Sequence, residues 1–498
     1  MAIVDPTGNF TYRQLLRDVQ TLRYRLSPDG MDLNEARVAF LCPNGYEYVV
    51  AQWAIWAAGG IAVPLSTLHP VQELQYFLED AQATVLLFHP DHAATVEALP
   101  ANLQARLQLM DVQQSIALAS TTAAVPRDLH LSGHRRALII YTSGTTGKPK
   151  GVVSSHCGVQ NQVDCLVQAW QWSSHDRIHH ALPLHHVHGV INALNCGLAS
   201  GATVEFASRF RAEDVWRRWI DGPQDLTLFM GVPAMYAKLA QAYDRMPKAT
   251  QVQASKACRQ FRLMVSGSSA LPSPLYHRWR DISGHTLLER YGMTETGMVL
   301  SNPALDASQR REGSVGYPLP GVQVCLMDDQ GQTILPKPDQ PGELLVKGGN
   351  LFREYWSRPE ATRKAFTADG WFKTGDSACQ ATNGSWRILG RNSQDILKSG
   401  GYKISALDIE RELLAHPLIR DVAVVGAPDQ VLGQQVAAVV QVLPEHCSTV
   451  TSLSLEAWCQ PRLARYQTPR RFKILTTDIP RNAMGKVSKK AMVEHFFM

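Results

Sequence analysis

Between about residues 36 and 345, short apolar runs alternate with longer segments of helical periodicity. ARVAFLC is followed by YEYVVAQWAIWAAGG and then IAVPL; further on, GATVEFA, EDVWRRWI, LTLFMGV and PAMYAKLAQAY continue the alternation. Strands that alternate with helices imply βαβ units and largely parallel sheets. The N-terminal AIVDPTGNFTYRQLL reads as strand, turn, strand and helix. Residues 90–135 are looser and carry little sign of chemistry. GSVGYPLPGVQVCLMDDQGQTILPKPDQPGELLVKG has short strands and turn residues, the pattern of a small β subdomain. After Gly390-Arg391 the pattern changes to a hairpin-like start, the helix SALDIERELLAHP and the strands RDVAVVGAP and QQVAAVVQVL. A helix in LEAWCQPRLARY and the strand RRFKIL follow. A chain of 498 residues exceeds one ordinary core. The expected fold is a large α/β N-terminal domain over residues 1–391, with parallel sheets, helices and a small β subdomain, and a small α+β C-terminal domain over 392–498.

Composition narrows the class of function. The chain is 45% hydrophobic and 19% charged with a net charge of +5, ordinary values for a globular protein. No basic stripe with interleaved aromatics marks a nucleic-acid surface, and no apolar run is long enough for a membrane span. The nine cysteines are scattered without a CxxC pair, which points to reduced thiols.

Directly after the apolar run ALII comes YTSGTTGKPKG, residues 141 to 151. Gly144, Gly147 and Gly151 let the backbone turn tightly. Thr142, Ser143, Thr145 and Thr146 supply hydroxyls; Lys148 and Lys150 supply positive charge. Together they describe a loop that wraps a polyphosphate. A Walker A loop has GxxxxGK followed by Ser or Thr at the start of a helix. Here the paired glycines are closer and Pro149 follows Lys148, which disfavours a helix start.

Four further segments carry polar groups. YGMTETG (291–297) combines an aromatic ring, a Thr and a Glu able to serve as a hard oxygen ligand. GWFKTGD ends in Asp376, a carboxylate suited to ribose hydroxyls, although Gly-Asp is also common turn chemistry. GRNSQDILKSGGYKIS holds Arg391 and the pair Gly400-Gly401, and PRNAMGK ends in Lys486. In ALPLHHVHGV, Pro183 and Gly189 suggest a turn bearing His185, His186 and His188, better suited to lining a pocket than to binding zinc.

In this order, TSGTTGKPKG, YGMTE, GWFKTGD, GR with a following GG, and PRNAMGK resemble the adenylate-forming superfamily of acyl-CoA synthetases, luciferases and peptide-synthetase adenylation domains. The resemblance spans nearly the whole chain. LPLHHVHGV, RLMVSGSSALP, LLERYGMTETGM and DILKSGGYKISALDIE are most similar to malonyl-CoA synthetases, notably the mitochondrial animal type. The resemblance implies a mobile C-terminal lid and two half-reactions, with ATP, Mg²⁺ and CoA as cofactor and co-substrates. Residues Thr142 to Lys150 would hold the β- and γ-phosphates. Tyr291 would flank adenine, Thr294 would touch the α-phosphate, Glu295 would hold Mg²⁺, and Asp376 and Arg391 would bind ribose. Lys486 would act in adenylation, and Gly400-Gly401 would shape the pantetheine tunnel.

Malonate keeps one carboxylate after activation, and a buried unpaired carboxylate is costly. Many fatty-acyl relatives have Gly where this chain has Arg290, which can grip a carboxylate bidentately. Ser266, Ser268, His186, His188 and Met293 complete the implied acid pocket, the alternative being that Arg290 simply pairs with Glu289. The hinge position, usually Asp or Lys, is Ser393, and the chain starts later than typical members. The resemblance implies a mitochondrial location if a targeting segment is absent through processing, and a cytoplasmic one otherwise. The rival functions are a ligase for medium-chain or aryl monocarboxylic acids and a catalytically silent nucleotide-binding scaffold; an acyl-carrier adenylation module would want a carrier domain that the sequence lacks.

Overall fold

A computed structural model describes residues 1–117, 129–142, 148–207, 209–481 and 487–498. Two large sheets dominate the N-terminal part. One has seven strands in the order Glu354–Tyr355, Lys150–Ser155, Arg136–Thr142, Ile61–Pro64, Arg37–Leu41, Val85–Phe88, Gln108–Asp111. The other has nine, from Tyr317–Pro318 through Gly297–Ser301, Leu288–Met293, Leu263–Ser266, Leu228–Gly231, Arg177–His180 and Thr203–Phe206 to Ile3–Asp5 and Gly8–Phe10. The middle of each is parallel, as the alternating pattern implies. Antiparallel strands close both edges of the nine-stranded sheet and one edge of the seven-stranded sheet, so the sheets are mixed.

Several central strands are buried at every position because helices cover both faces. Ile61–Pro64 and Leu263–Ser266 are buried at every position. The helix Tyr12–Leu26 starts in a reciprocal capping box, with Thr11 and Gln14 exchanging side-chain and backbone bonds, and turns Leu15, Val19, Leu22 and Leu26 into the core.

A five-stranded antiparallel sheet carries Val322–Met327, Gly342–Gly348, Phe372–Gln380 and Trp386–Arg391, so the small β subdomain extends to Arg391. The smaller C-terminal domain has Tyr402–Ser405, Ile396–Ser399, Gly433–Val442 and Ile419–Asp429 antiparallel, with Arg471–Leu475 added parallel to Gly433–Val442. Its second helix is shorter than LEAWCQPRLARY suggested. It spans Ser452–Cys459 and stops just before Pro461, which has no backbone N–H with which to continue the helical ladder. All nine cysteines are free thiols. No helix among the described residues is long and apolar enough to cross a membrane.

Candidate active site

The phosphate-type loop joins two antiparallel strands rather than a strand and a helix. Arg136–Thr142 leads in and Lys150–Ser155 returns, with Thr142 opposite Lys150 and Tyr141 opposite Gly151. Ser143, Gly144, Thr145, Thr146 and Gly147 lie outside the described residues, as does Lys486. The shoulders of the loop are anchored. The Tyr76 hydroxyl donates to the Pro149 carbonyl at 2.6 Å, and Thr142 Oγ1 lies 3.4 Å from the Lys150 carbonyl. Each lysine stands over an aromatic face: Lys148 Nζ is 5.4 Å from the Tyr76 ring centroid, and Lys150 Nζ is 4.9 Å from that of Tyr355.

Tyr355 links the loop to YGMTETG, because its hydroxyl donates to Glu295 Oε1 at 2.8 Å. Glu295 is buried, not the surface residue of an ordinary turn. Its carbonyl accepts from Phe352 N, and Asn350 Nδ2 donates to the neighbouring Thr296 carbonyl at 2.6 Å. Gly297 has φ +58°, and a Cβ there would meet the Gln162 amide at 1.8 Å, so the loop closes only on glycine. Thr294 is half-buried at the bend. Met293 packs against the apolar cluster of Val152, Phe352 and Phe372.

Tyr291, Asp376 and Arg391 come together. The Tyr291 hydroxyl donates to Asp376 Oδ2 at 2.5 Å, and Arg391 Nε pairs with Asp376 Oδ1 at 2.8 Å. Asp376 and Arg391 are cross-strand neighbours in the small sheet. Burial raises the Asp376 carboxyl above its ordinary value, and the Arg391 charge and Tyr291 hydroxyl oppose that rise. Gly400 and Gly401, with φ +54° and +83°, form a two-residue hairpin turn between Ser399 and Tyr402. Turns with positive φ at both positions favour glycine, so the fold itself accounts for this pair.

The third cluster surrounds Arg290, which is 4% exposed. Its Nε and Nη2, the donors along one edge of the guanidinium, have no partner, and no ion pair joins it to Glu289 among the described residues. Burial pushes Arg290 down to about 9. Ser266 Oγ and His188 Nε2 are likewise buried without partners. His188 is held well below its ordinary value by burial and then by the Arg290 charge, so its ring is neutral at pH 7. Ser268 adopts the left-handed region at φ +69° and brings its hydroxyl to 3.4 Å from His188 Nδ1. That strain at a polar pocket is typical of functional sites. His185 and His186 lie in the expected turn with ring centroids 4.2 Å apart and tilted by 48°, but His188 is not in it. It opens a π-helix, His188–Asn195, because the chain coils at once after Pro183 and Gly189 pack together. No group of three His, Cys, Asp or Glu among the described residues is disposed to hold a metal.

Three contributors escape the sequence. Tyr355 meets Glu295 only through a contact 60 residues long. Gly267 lies directly under the Arg290 guanidinium, with only 2.4 Å between Arg290 Cζ and any added Cβ. Asn192 is wholly buried with both amide atoms unpaired. The one signal for Gly267 was its place between Ser266 and Ser268.

Residues 1–356 match the AMP-binding enzyme family, and residues 408–486 match the AMP-binding enzyme C-terminal domain. The chain is 44% identical to the mitochondrial malonate–CoA ligase of Homo sapiens, over 100% of this chain and 90% of that protein. It is 40% identical to a malonate–CoA ligase of Arabidopsis thaliana, over 92% of this chain and 78% of the plant protein. The crystal structure of ATP-bound MatB from Rhodopseudomonas palustris superposes with a TM-score of 0.87 at 31% identity, covering 99% of this chain and 95% of that one. From its first residue to the end of its C-terminal sheet, this chain is a member of the AMP-binding enzyme family.

Proposed function

We propose that the protein is an ATP-dependent malonate–CoA ligase acting through malonyl-AMP. The observation that carries the reading is Arg290: a buried cation whose two-donor edge is unpaired, beside unpaired Ser266 and neutral His188. A monocarboxylate would leave that edge desolvated and empty. The second carboxylate of malonate would fill it with two charge-assisted hydrogen bonds. The ligases of Homo sapiens and Arabidopsis thaliana, named for malonate, support the same acid.

In the first half-reaction a malonate carboxylate oxygen attacks the α-phosphorus, the bond to the bridging oxygen breaks, and pyrophosphate leaves with its electrons. In the second, the CoA thiolate attacks the acyl carbon and AMP departs. Thr142 to Lys150 hold the β- and γ-phosphates, so that loop receives the leaving group. Tyr291 flanks adenine, Asp376 and Arg391 hold ribose, and Thr294 contacts the α-phosphate. Lys486 offsets the charge that develops between carboxylate and α-phosphate. His186, Ser268 and Met293 border the acid, and Gly400-Gly401 borders the pantetheine.

A magnesium ion fits this donor set, since it is commonly bound by one or two carboxylates with substrate phosphates. Glu295, held by Tyr355 with lone pairs to spare, would be that carboxylate. When bound, the ion neutralises phosphate charge. We place the domain boundary after Arg391, with Ser393 as hinge and residues 392–498 as a moving lid, and assign the protein to mitochondria by likeness to its relatives.

The test is a panel of acids, with AMP and acyl-CoA both measured. Malonate or methylmalonate should exceed medium-chain and aryl monocarboxylates, and Arg290→Ala should erase that preference. Turnover of monocarboxylates alone would sink the malonate reading, and nucleotide binding without AMP formation would leave a silent scaffold.

A further inference from the structure

The π-helix His188–Asn195 is buried along its whole length, yet it is not apolar all round. Val190, Ile191, Ala193 and Leu194 are ordinary core residues. Between them stand His188, Asn192 and Asn195; in a helix whose turn exceeds four residues, His188 and Asn192, four apart, share one face, and Asn195, three further on, points elsewhere. All three carry buried polar atoms without partners: His188 Nε2, both Asn192 amide atoms and Asn195 Nδ2. π-helical turns are rare and concentrate at functional sites. The face has a direction, because His188 at its start feels the Arg290 charge and lies beside Ser268.

Asn192 is the extreme member. It is 0% exposed, and neither its donor nor its acceptor finds a protein group. A buried amide left unsatisfied is costly, so such a side chain is kept where something else completes it. His188, which shares the Asn192 face, feels the charge of Arg290 on the strand Leu288–Met293, and that guanidinium offers two donors to an anion that accepts about four hydrogen bonds. The guanidinium edge uses two of those sites and leaves the outer lone pairs open.

We propose that Asn192 is a specificity-determining residue of the acid pocket, its Nδ2 donating to the carboxylate that Arg290 grips and its Oδ1 facing the carbon between the two carboxylates. This rests on the malonate reading above. It adds that dicarboxylate recognition is shared between two elements, the strand carrying Arg290 and the π-helix carrying Asn192. It also implies that acids with a hydrogen-bond donor on the middle carbon, such as a 2-hydroxymalonate, gain from Oδ1 where a 2-methyl group does not.

The experiment compares kcat/KM for malonate and for isovalerate, which has two methyl groups where malonate has its second pair of oxygens. Wild type, Arg290→Ala, Asn192→Leu and Asn192→Asp are measured, with the thermal midpoint of each. Asn192→Leu keeps the shape and removes the polarity; it should lower the malonate-to-isovalerate ratio roughly 10- to 100-fold, mainly through KM for malonate. Asn192→Asp sets a carboxylate against a carboxylate and should lower the ratio further. If Arg290→Ala collapses the ratio and both Asn192 variants leave it unchanged, Asn192 merely holds buried water and the inference fails while the malonate reading stands. If Arg290→Ala leaves the ratio unchanged as well, both fall. Should Asn192→Leu fold poorly, Asn192→Ser decides: a ratio reduced at unchanged thermal midpoint supports the role, and an unchanged ratio overturns it.

Discussion

Gly267 has no room for a side chain because the Arg290 guanidinium lies against it. The strand Leu263–Ser266 ends one residue earlier, and its parallel neighbour Leu288–Met293 presents Arg290 across it. The arginine is therefore held between a backbone and a pocket, with few rotamers left to it. Gly267→Ala would move the guanidinium by a large fraction of an ångström without touching its charge. Displacements of that order cost about 100-fold when they misplace a binding group. The expected result is a kcat/KM for malonate lowered roughly that much, at a monocarboxylate rate close to wild type. Equal loss for both acids would mean that the alanine disturbs the whole sheet. Residues of this kind are invisible in a sequence. A glycine between two serines has many uses, and only the fold sets the strand with Arg290 beside it.

At the scale of elements, legibility followed the range of the interactions. Runs such as ARVAFLC and IAVPL could be read as strands, since their burial on both faces is written in consecutive apolar residues. The loop of Lys148 and Lys150 could be read as a phosphate cradle from its own chemistry, but its antiparallel return needed the strand Lys150–Ser155 to find Arg136–Thr142. The turn after Pro183 was legible and its continuation was not. HGVINALN has helical spacing that a turn assignment overrode, and its π form depends on packing against Pro183 and the neighbouring helix His156–Trp170. Proline also marks an end: Pro461 donates no backbone N–H, so the helix closes at Cys459 although the apolar pattern runs on. Arg290 was legible as a candidate from its contrast with the glycine of fatty-acyl relatives, but only the fold shows that it does not pair with its neighbour Glu289 among the described residues.

For the molecule as a whole, the C-terminal helix Lys489–Phe496 is tied to the segment after Arg391. Lys489 Nζ pairs with Asp395 Oδ1 at 2.6 Å and with Glu410 Oε1 at 2.7 Å, all three side chains being largely buried. Asp395 in turn accepts from Arg391 N at 3.0 Å. Lys489→Met would leave two buried carboxylates facing each other, which typically costs about 3–5 kcal/mol. Chemical denaturation of the whole chain should show that loss in the C-terminal transition, and a loss below about 1 kcal/mol would mean that water already reaches the triad. Burial works to lower the Lys489 amine, but Glu410 and Asp395 outweigh it and hold the value above the ordinary 10.5. A raised lysine stabilises fully below its unfolded value, so this contribution is whole up to pH 10.5 and is lost as the pH climbs through the folded value.

Under the proposed ribose role, the hydrogen bonds on Asp376 would also amount to a count of sugar hydroxyls. An ionised carboxylate has about four acceptor positions, and Tyr291 and Arg391 occupy one on each oxygen. Two remain, the number that a vicinal diol can satisfy. A 2′-deoxy nucleotide would supply only one hydroxyl and leave a buried acceptor bare, so dATP should support pyrophosphate release roughly 10- to 100-fold less efficiently than ATP. Equal use of the two nucleotides would show that the carboxylate does not read the sugar. Before any nucleotide arrives, the tyrosine and the arginine have already taken one acceptor position on each oxygen of Asp376, so under the proposed ribose role the positions left over are the ones that would tell ribose from deoxyribose.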